Sequence, residues 1–197
     1  AVVPITACRI MLDVDMPALA AAAGIAGNTA IPLVKMAIAR VAESDPEAAK
    51  WVHYGATSQD AMDTGLVLQL REAFKVIDAD LARAMAAAAA LARAHRETPM
   101  AGRTWLQQAL PITFGLKMAG TLDALMRHRD RLTEAKSRIL ALQFGGAAGT
   151  LASLGDKGPE VARLLAARLN LSLPDMPWHG QRDLILEAAG LMTGIVA

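Results

Sequence analysis

The sequence has almost no cysteine, few aromatic residues and no long apolar run. Cys8 is the one cysteine among 197 residues, which excludes a disulfide framework and a cysteine-based zinc cluster. The longest alanine-rich apolar stretch, Ala84–Ala92, is far shorter than the roughly 20 residues that span a bilayer. The net charge is only +1, and no basic-then-apolar signal segment opens the chain. We therefore expect a soluble cytoplasmic protein without a nucleic-acid or membrane partner.

Alanine is the residue that dominates instead. The sequence contains 42 alanines, whereas Phe, Tyr and Trp together number seven. Alanine is the best helix former and lets helix axes approach closely, while the residues that fill strands are comparatively few. The composition predicts an all-α protein with long, tightly packed helices.

Proline spacing and apolar periodicity place these helices along the chain. Prolines divide the first fifty residues into short helices, which we predict at about 16–24, 30–43 and 46–52. Between Thr57 and Thr98 there is no proline, and apolar residues recur every three or four positions, which predicts one helix of about 38 residues. Its predicted buried stripe is Leu66, Leu70, Ala73, Ile77, Leu81, Ala84, Ala88 and Leu91.

A second long helix is predicted from Ile112 to Leu142, and two shorter ones at about 156–170 and from about 180 to the end. The side chains of the second long helix that we expect to be mostly buried are Leu116, Leu122, Leu125, Leu132, Ile139 and Leu142. Its exposed side is expected to carry the charged run around residues 127–134.

The change of character near residue 55 predicts two domains. We expect a partial N-terminal helical domain over 1–55 and a central bundle of long helices over 56–197, incomplete at its C-terminus. A small domain cannot bury helices of this length, so a long antiparallel bundle or an oligomer is expected. The sequence ends without a polar stop or cap, and we expect it to be part of a larger protein.

Four polar stretches lie at or beside the predicted helix ends. They share hydroxyl, amide, guanidinium and backbone N–H groups, which bind carboxylates. The stretches are residues 51–60, 102–111, 143–150 and 178–183. Each also has a purely structural interpretation, as a helix cap, a surface linker or a helix-stopping loop. Together these donors suit a reaction that adds or removes a proton beside a carboxylate through an enediolate.

Signals for metal, phosphate or nucleophilic chemistry are missing from the sequence. There is no glycine motif of the P-loop or dinucleotide type. The four histidines, at positions 53, 95, 128 and 179, show no i, i+4 pairing with one another. A set of nucleophile, base and orienting group is not visible either. We therefore expect no metal site.

Several motifs resemble the fumarase/aspartase superfamily, whose members include fumarase, argininosuccinate lyase and adenylosuccinate lyase. The motifs are His53-Tyr54-Gly55-Ala56-Thr57-Ser58-Gln59-Asp60 with Asp63-Thr64, then Gly102-Arg103-Thr104, then Gln181-Arg182-Asp183. They follow the family's order from about residue 20 to the end. Further segments are similar to the 3-carboxy-cis,cis-muconate cycloisomerase branch of this superfamily, namely residues 27–35, 103–109, 142–147 and 177–179.

Two departures from the lyase pattern favour the cycloisomerase branch. Trp105 stands where the lyases usually continue Gly-Arg-Thr with a histidine. The stretch 28–33 also has no histidine, although adenylosuccinate lyase carries one there. A tryptophan cannot shuttle a proton, but its ring can form one wall around a flat diene or lactone.

The resemblance implies a homotetramer of long helices with active sites assembled from three subunits. The implied reaction closes 3-carboxy-cis,cis-muconate, a small multiply charged acid, to a carboxymuconolactone in aromatic catabolism, without metal or coenzyme. In this family a mobile loop with paired serines supplies the acid or base. That loop is expected beyond Ala197, so the 197 residues alone are expected to be inactive.

The donor chemistry and the resemblance together single out nine candidate site residues. His53 and Ser58 are the candidate catalytic residues, with His53 as the in-chain proton donor. The candidate substrate-binding residues are Thr57, Gln59, Arg103, Thr104, Trp105, Gln107 and Arg182. Two alternative functions remain open at this point, an adenylosuccinate- or argininosuccinate-type lyase and a non-catalytic helical assembly module.

Overall fold

The structure is a computed structural model that describes residues 14–196, so Cys8, the first thirteen residues of the predicted N-terminal domain and Ala197 lie outside it. The described chain is mostly helical, as predicted. In chain order its α-helices are α1 (Met16–Ala26), α2 (Ala30–Ala42), α3 (Pro46–Ala49), α4 (Ser58–Ala94), α5 (Phe114–Ile139), α6 (Gly158–Leu169) and α7 (Asp183–Val196). Strands β1 (Pro99–Thr104) and β2 (Gln107–Thr113) lie between α4 and α5, and a 3-10 helix, Ala152–Lys157, precedes α6.

Two of the short helices begin at a capping aspartate, and α1 ends at a glycine. The Asp15 side chain accepts the Ala18 N–H and caps α1, while the Asp45 side chain caps α3 in the same way. Helix α1 ends at Gly27, whose φ of 75° is left-handed. Helix α3 is shorter than the predicted 46–52, since the chain after Ala49 continues as turns.

Helix α4 confirms the predicted long helix. It has 37 residues, which corresponds to a length of about 55 Å. The buried stripe differs in part from the prediction, since Ala73, Ala84 and Leu91 are exposed and Leu66 and Ile77 are half-buried. The side chains that are buried repeat at steps of three, four and seven, which keeps them on one line of the helix. They are Val67, Leu70, Phe74, Leu81 and Ala88.

A β-hairpin occupies the segment that we expected to be a linker between two helices. Strands β1 and β2 pair antiparallel from Pro99↔Thr113 to Thr104↔Gln107, with an irregularity between Ala101 and Arg103. The two residues of the turn are Trp105 and Leu106, with φ of 49° and 61°. A two-residue turn with positive φ at both positions normally uses Asn-Gly, so Trp105-Leu106 carries no sequence signal for a hairpin.

Helix α5 starts against the end of α4. The Thr113 side chain accepts the Leu116 N–H and caps α5. A Cβ atom at Gly115 would lie 2.6 Å from the Ala92 carbonyl oxygen, so glycine permits this close approach. Leu132 and Ile139 are buried as predicted, whereas Leu116 is 61% exposed, contrary to the prediction.

The described chain forms two compact units. The first contains the chain up to Val67 together with Ala141–Gln181, and the second contains Leu68–Leu140 and the chain from Arg182 onward. Helix α4 contributes residues to both units. The predicted domain division at residue 55 stays a prediction. No helix within residues 14–196 combines the length and the hydropathy that a membrane span requires.

Candidate functional site

A buried carboxyl group, that of Asp60, organises the first unit at the start of α4. It is 3% exposed, and its two oxygens accept four hydrogen bonds. Oδ1 accepts from the Gly145 N–H and the Gln143 side-chain amide, each at 3.0 Å. Oδ2 accepts from the Gly146 N–H at 2.9 Å and the Thr57 N–H at 3.0 Å. Asp60 thereby joins the first polar stretch of the sequence to the third.

One turn further along α4, Thr64 makes a second pair of hydrogen bonds to the same loop. Its hydroxyl donates to the Gln143 carbonyl oxygen at 2.8 Å and accepts the Gln143 N–H at 3.1 Å. Both residues are buried. Because a hydroxyl can donate and accept at once, Thr64 satisfies both backbone groups of a residue that belongs to no helix or strand.

The Gln143 side chain extends this network to the fourth polar stretch. Its oxygen accepts the Trp178 N–H at 2.6 Å, and its nitrogen lies 3.0 Å from His179 Nδ1. The Trp178 indole N–H donates to the Leu142 carbonyl oxygen at 3.1 Å. Within residues 14–196 no buried side-chain polar atom lacks a hydrogen-bond partner, as expected for a well-formed polar interior.

The turn before α4 packs against the glycine-rich loop. A Cβ atom at Gly146 would lie 2.9 Å from the Gly55 carbonyl oxygen, and the φ of Gly146 is 67°, so glycine is required there twice over. The Tyr54 hydroxyl donates to the Ser153 carbonyl oxygen at 3.2 Å. His53 lies in this turn, half-buried, with a left-handed φ of 60°, a conformation in which histidine is enriched among non-glycine residues.

Thr57, Ser58 and Gln59 lie at the N-terminus of α4. The first hydrogen bond of the helix runs from the Ala61 N–H to the Thr57 carbonyl oxygen. The N–H groups of residues 58–60 precede it and point out of the helix end, where they favour an anion. All three predicted residues are half-buried. The structure therefore places His53, Thr57, Ser58 and Gln59 together in the first unit, beside the loop that Asp60 holds at the start of α4.

The other candidate residues lie in the second unit. Arg103, Thr104, Trp105 and Gln107 form the tip of the hairpin and are all exposed, with Trp105 at 93%. Arg182 is also exposed and precedes α7. None of these residues is a hydrogen-bond partner of the Asp60 carboxyl group.

Sequence reasoning missed Asp60, Gln143 and His179 as parts of the site. Asp60 and Gln143 were placed in polar stretches and in the segments of the resemblance, but neither was assigned a role in the site. Asp60 and Gln143 are 83 positions apart, so their contact leaves no spacing signal. The signal that could have identified Asp60, Gln143 and His179 is that each of them lies in one of the polar stretches.

Charge and metal-binding groups add little to this site. Within residues 14–196 no group of three or more His, Cys, Asp or Glu side chains could hold a metal ion. Asp78, whose carboxyl group links two long helices, lies in the second unit. The Arg129 guanidinium lowers the pKa of that carboxyl group. In the first unit, the Asp60 carboxyl group accepts its four hydrogen bonds from neutral donors.

The chain is similar in sequence to a family of known proteins and to several of its members. A sequence profile of the family described as Lyase matches residues 20–197. The 3-carboxy-cis,cis-muconate cycloisomerase of Pseudomonas aeruginosa is 56% identical over 198 residues, which cover 100% of this chain and 43% of that protein. The protein of the same name from Bradyrhizobium diazoefficiens is 58% identical over 187 residues, which cover 95% of this chain and 41% of that protein.

A solved structure gives the same picture of the fold. The 3-carboxy-cis,cis-muconate lactonizing enzyme from Pseudomonas putida matches with a TM-score of 0.89 at 54% identity, covering 92% of this chain and 41% of that chain. The chain therefore spans less than half the length of the relatives that it matches.

Proposed function

Since this chain belongs to the fumarase/aspartase lyase family, we propose that the protein containing it is a cycloisomerase that closes 3-carboxy-cis,cis-muconate to a carboxymuconolactone. The observation that carries the proposal is the 56% identity, over the whole of this chain, to a protein of that name. The donor set at the N-terminus of α4 suits the same chemistry, because it can bind an acid with several carboxylates.

The reaction needs no leaving group. One substrate carboxylate oxygen forms a bond to a carbon of the conjugated double bond, and the π electrons move toward the carbon beside another carboxylate. The resulting enediolate carries an additional negative charge until that carbon takes up a proton. Oriented donors stabilise such a charge as it develops, and the Thr57 and Ser58 hydroxyls with the N–H groups of residues 58–60 are the donors in the first unit.

His53 is the proposed proton donor within this chain, and Ser58 the second proposed catalytic residue. The imidazole is half-buried beside the N-terminus of α4, and histidine transfers protons readily near neutral pH. Gln59 lies next to Ser58 and is proposed to bind the substrate through its amide.

The hairpin tip supplies the remaining proposed contacts, from another copy of the chain in a homotetramer. Trp105 is 93% and Leu106 96% exposed, and both lie in a left-handed conformation that is unfavourable for non-glycine residues. Exposed apolar residues in a strained turn are explained when they pack against a partner. Arg103, Thr104 and Gln107 would then reach the partner's substrate, and Arg182 is proposed to contact the anion in a neighbouring copy.

Trp105 favours cyclisation over elimination. The tryptophan indole has no nitrogen that exchanges protons near neutral pH, so it cannot protonate a leaving amine or alkoxide. Its flat ring can pack on a planar diene.

We place this activity in the cytoplasm, in a protein with an N-terminal helical domain up to residue 55 and a central bundle after it, and without metal or coenzyme.

The test is a substrate comparison with the full-length protein. We expect loss of diene absorbance with 3-carboxy-cis,cis-muconate and no cleavage of adenylosuccinate or argininosuccinate. Cleavage of either succinate adduct would instead show the lyase alternative.

Ser58→Ala and Arg103→Ala should each lower kcat/KM by at least about tenfold, with the exposed Arg131→Ala as the matched control. Absence of turnover in the unmodified protein, with any ligand-induced stabilisation unchanged in both variants, would indicate the non-catalytic alternative.

A further inference from the structure

The Gln143 side chain can adopt only one orientation in its buried site. Its amide oxygen faces a donor, the Trp178 N–H, and its nitrogen faces the Asp60 carboxyl oxygen at 3.0 Å. Exchanging the oxygen and nitrogen would place two oxygens against each other and two N–H groups against each other. The amide nitrogen therefore donates both of its hydrogens, one to Asp60 and the other to His179.

This orientation fixes the tautomer of His179. The Gln143 nitrogen lies 3.0 Å from His179 Nδ1, and because that nitrogen donates, Nδ1 accepts. A neutral imidazole that accepts at Nδ1 carries its hydrogen on Nε2. In the described part of the chain, the ring's one hydrogen bond is this contact with Gln143, so the Nε2–H is available to a ligand.

His179 belongs to the hydrogen-bond network of Asp60, which also includes the proposed carboxylate site at the N-terminus of α4. Asp60 binds the Thr57 N–H on one side and, through Gln143, positions His179 on the other. The ring is half-buried and lies beside the glycine-rich loop, where a Cβ at Gly149 would be 3.8 Å from its Cε1. A half-buried neutral donor of fixed direction is suited to binding one oxygen of an anion.

We infer that His179 is a further substrate-binding residue, which donates its Nε2–H to a carboxylate of the substrate, and that Asp60 and Gln143 are positioning residues acting through it. The inference rests on the proposed function for the identity of the substrate. All four acceptor positions of Asp60 are filled by the protein, so Asp60 itself has none left for a ligand.

Two substitutions at position 179 separate this role from a structural one. In His179→Asn the amide oxygen can take the place of Nδ1 and accept from Gln143, but the donor at the Nε2 position is lost. In His179→Gln the amide nitrogen reaches the Nε2 position, but the acceptor for Gln143 is lost. If His179 binds substrate, His179→Asn should raise KM roughly ten- to a hundredfold. The KM of His179→Gln should lie much closer to that of the unmodified protein.

The experiment is run on the full-length protein with 3-carboxy-cis,cis-muconate, together with ring ¹⁵N chemical shifts of the unmodified protein. The expected shifts show a hydrogen on Nε2 of His179, and a hydrogen on Nδ1 would overturn the inference. The opposite order of the two variants, or KM unchanged in both, would also overturn it, because the ring would then serve only Gln143.

Failure of the proposed function is distinguishable from failure of this inference. If the unmodified protein does not convert 3-carboxy-cis,cis-muconate, the proposed function is wrong. Binding of citrate, a tricarboxylate probe, is then measured by calorimetry for the same three proteins. Weaker citrate binding by His179→Asn than by His179→Gln and the unmodified protein supports the role of His179. Equal affinities, or no binding by the unmodified protein, contradict it.

Discussion

Asp60 shows how one side chain can give a glycine-rich loop a defined position. Its carboxyl group is buried with no cation among its hydrogen-bond partners, and four N–H donors take the place of water around it. A buried charge is tolerated when its hydrogen bonds are complete. The same four bonds hold the glycine-rich loop at the N-terminus of α4, so folding and site geometry depend on the same group.

Asp60→Asn is expected to destabilise the protein by about 2–4 kcal/mol, because the new NH2 group, at either oxygen position, faces two N–H donors that lose their acceptor. Urea unfolding followed by circular dichroism measures the change. Asp130→Asn is the matched control, since Asp130 is exposed on α5 and its substitution should change the stability by no more than about 0.5 kcal/mol. Equal effects of the two substitutions would contradict the role assigned to Asp60.

The sequence could identify the residue types of the site but only part of its arrangement. Thr57 and Ser58 were found because a hydroxyl before a long apolar stripe is typical of a helix start. His179 was not selected, because its role depends on Gln143, which is 36 positions away and contacts it only in the folded chain. Contacts of this kind arise from tertiary packing, which a single sequence does not show.

At the level of elements, the helices were predictable and the hairpin was not. The stripe of α4 follows directly from a 3.6-residue period over 37 residues. The hairpin has Trp105 and Leu106 in its turn and Pro111 inside β2, and each of these argues against a hairpin by the usual rules. The exceptions fall at the tip proposed to bind substrate, where local preference gives way to function.

Two glycines of α5 should respond in opposite ways to alanine. A Cβ at Gly115 would lie 2.6 Å from Ala92 O and 2.8 Å from His95 O, both backbone atoms, whereas a Cβ at Gly120 meets nothing within 4 Å. Gly115→Ala is expected to lower the free energy of unfolding by about 1–3 kcal/mol. Gly120→Ala should raise it by about 0.5–1 kcal/mol, because alanine has the higher helix propensity. Thermal unfolding of both variants tests the pair, and a loss of stability in Gly120→Ala would contradict this packing.

The ion pair between α4 and α5 should give the stability a defined dependence on pH. Arg129 Nε lies 3.0 Å from Asp78 Oδ1, and this hydrogen bond lowers the pKa of Asp78. A lowered pKa in the folded state means that the stabilisation is complete above the unfolded pKa, about 3.9, and is lost as the pH falls through the folded value. Because both groups are partly exposed, we expect at most about 1 kcal/mol.

Urea unfolding of the wild type and of Asp78→Asn measures this contribution. The difference between them should be largest at pH 7 and should decrease below about pH 4. Asp80→Asn is the control, because the Arg83 partner of Asp80 lies on the same helix, within one turn, and its contribution is expected to be smaller. A difference that grows with falling pH would have the wrong sign for a carboxyl with a lowered pKa.

On the scale of the whole molecule, the candidate residues are divided between two compact units. His53, Thr57, Ser58 and Gln59 lie in the first unit, and the hairpin tip lies in the second. An apolar tip at 93–96% exposure is unfavourable in water, which supports a site completed by contacts between subunits. The exposure of the tip supports the proposal that another copy of the chain covers it.

Mixing two variants of lowered activity tests this division. If Ser58 and Arg103 act in one site from different subunits, refolding Ser58→Ala together with Arg103→Ala should restore activity, with roughly a quarter of the sites in a random symmetric mixture carrying both native residues. Each variant refolded alone should keep its lowered activity, as should a mixture of Ser58→Ala with the Ser58→Ala/Arg103→Ala double variant. Absence of recovery in mixtures that form tetramers would show that both residues come from one subunit.

The exposed tip also gives the chain its own optical reporter. Trp105 is 93% exposed, while Trp178 is 5% exposed, so water can reorient around the excited indole of the first but not of the second. Emission from Trp105 is therefore expected at long wavelength in a separate subunit and should shift toward the blue when the tip is covered. With Trp51, the third indole at 57% exposure, replaced by Phe, a fluorescence titration against protein concentration can thus follow association without any added dye.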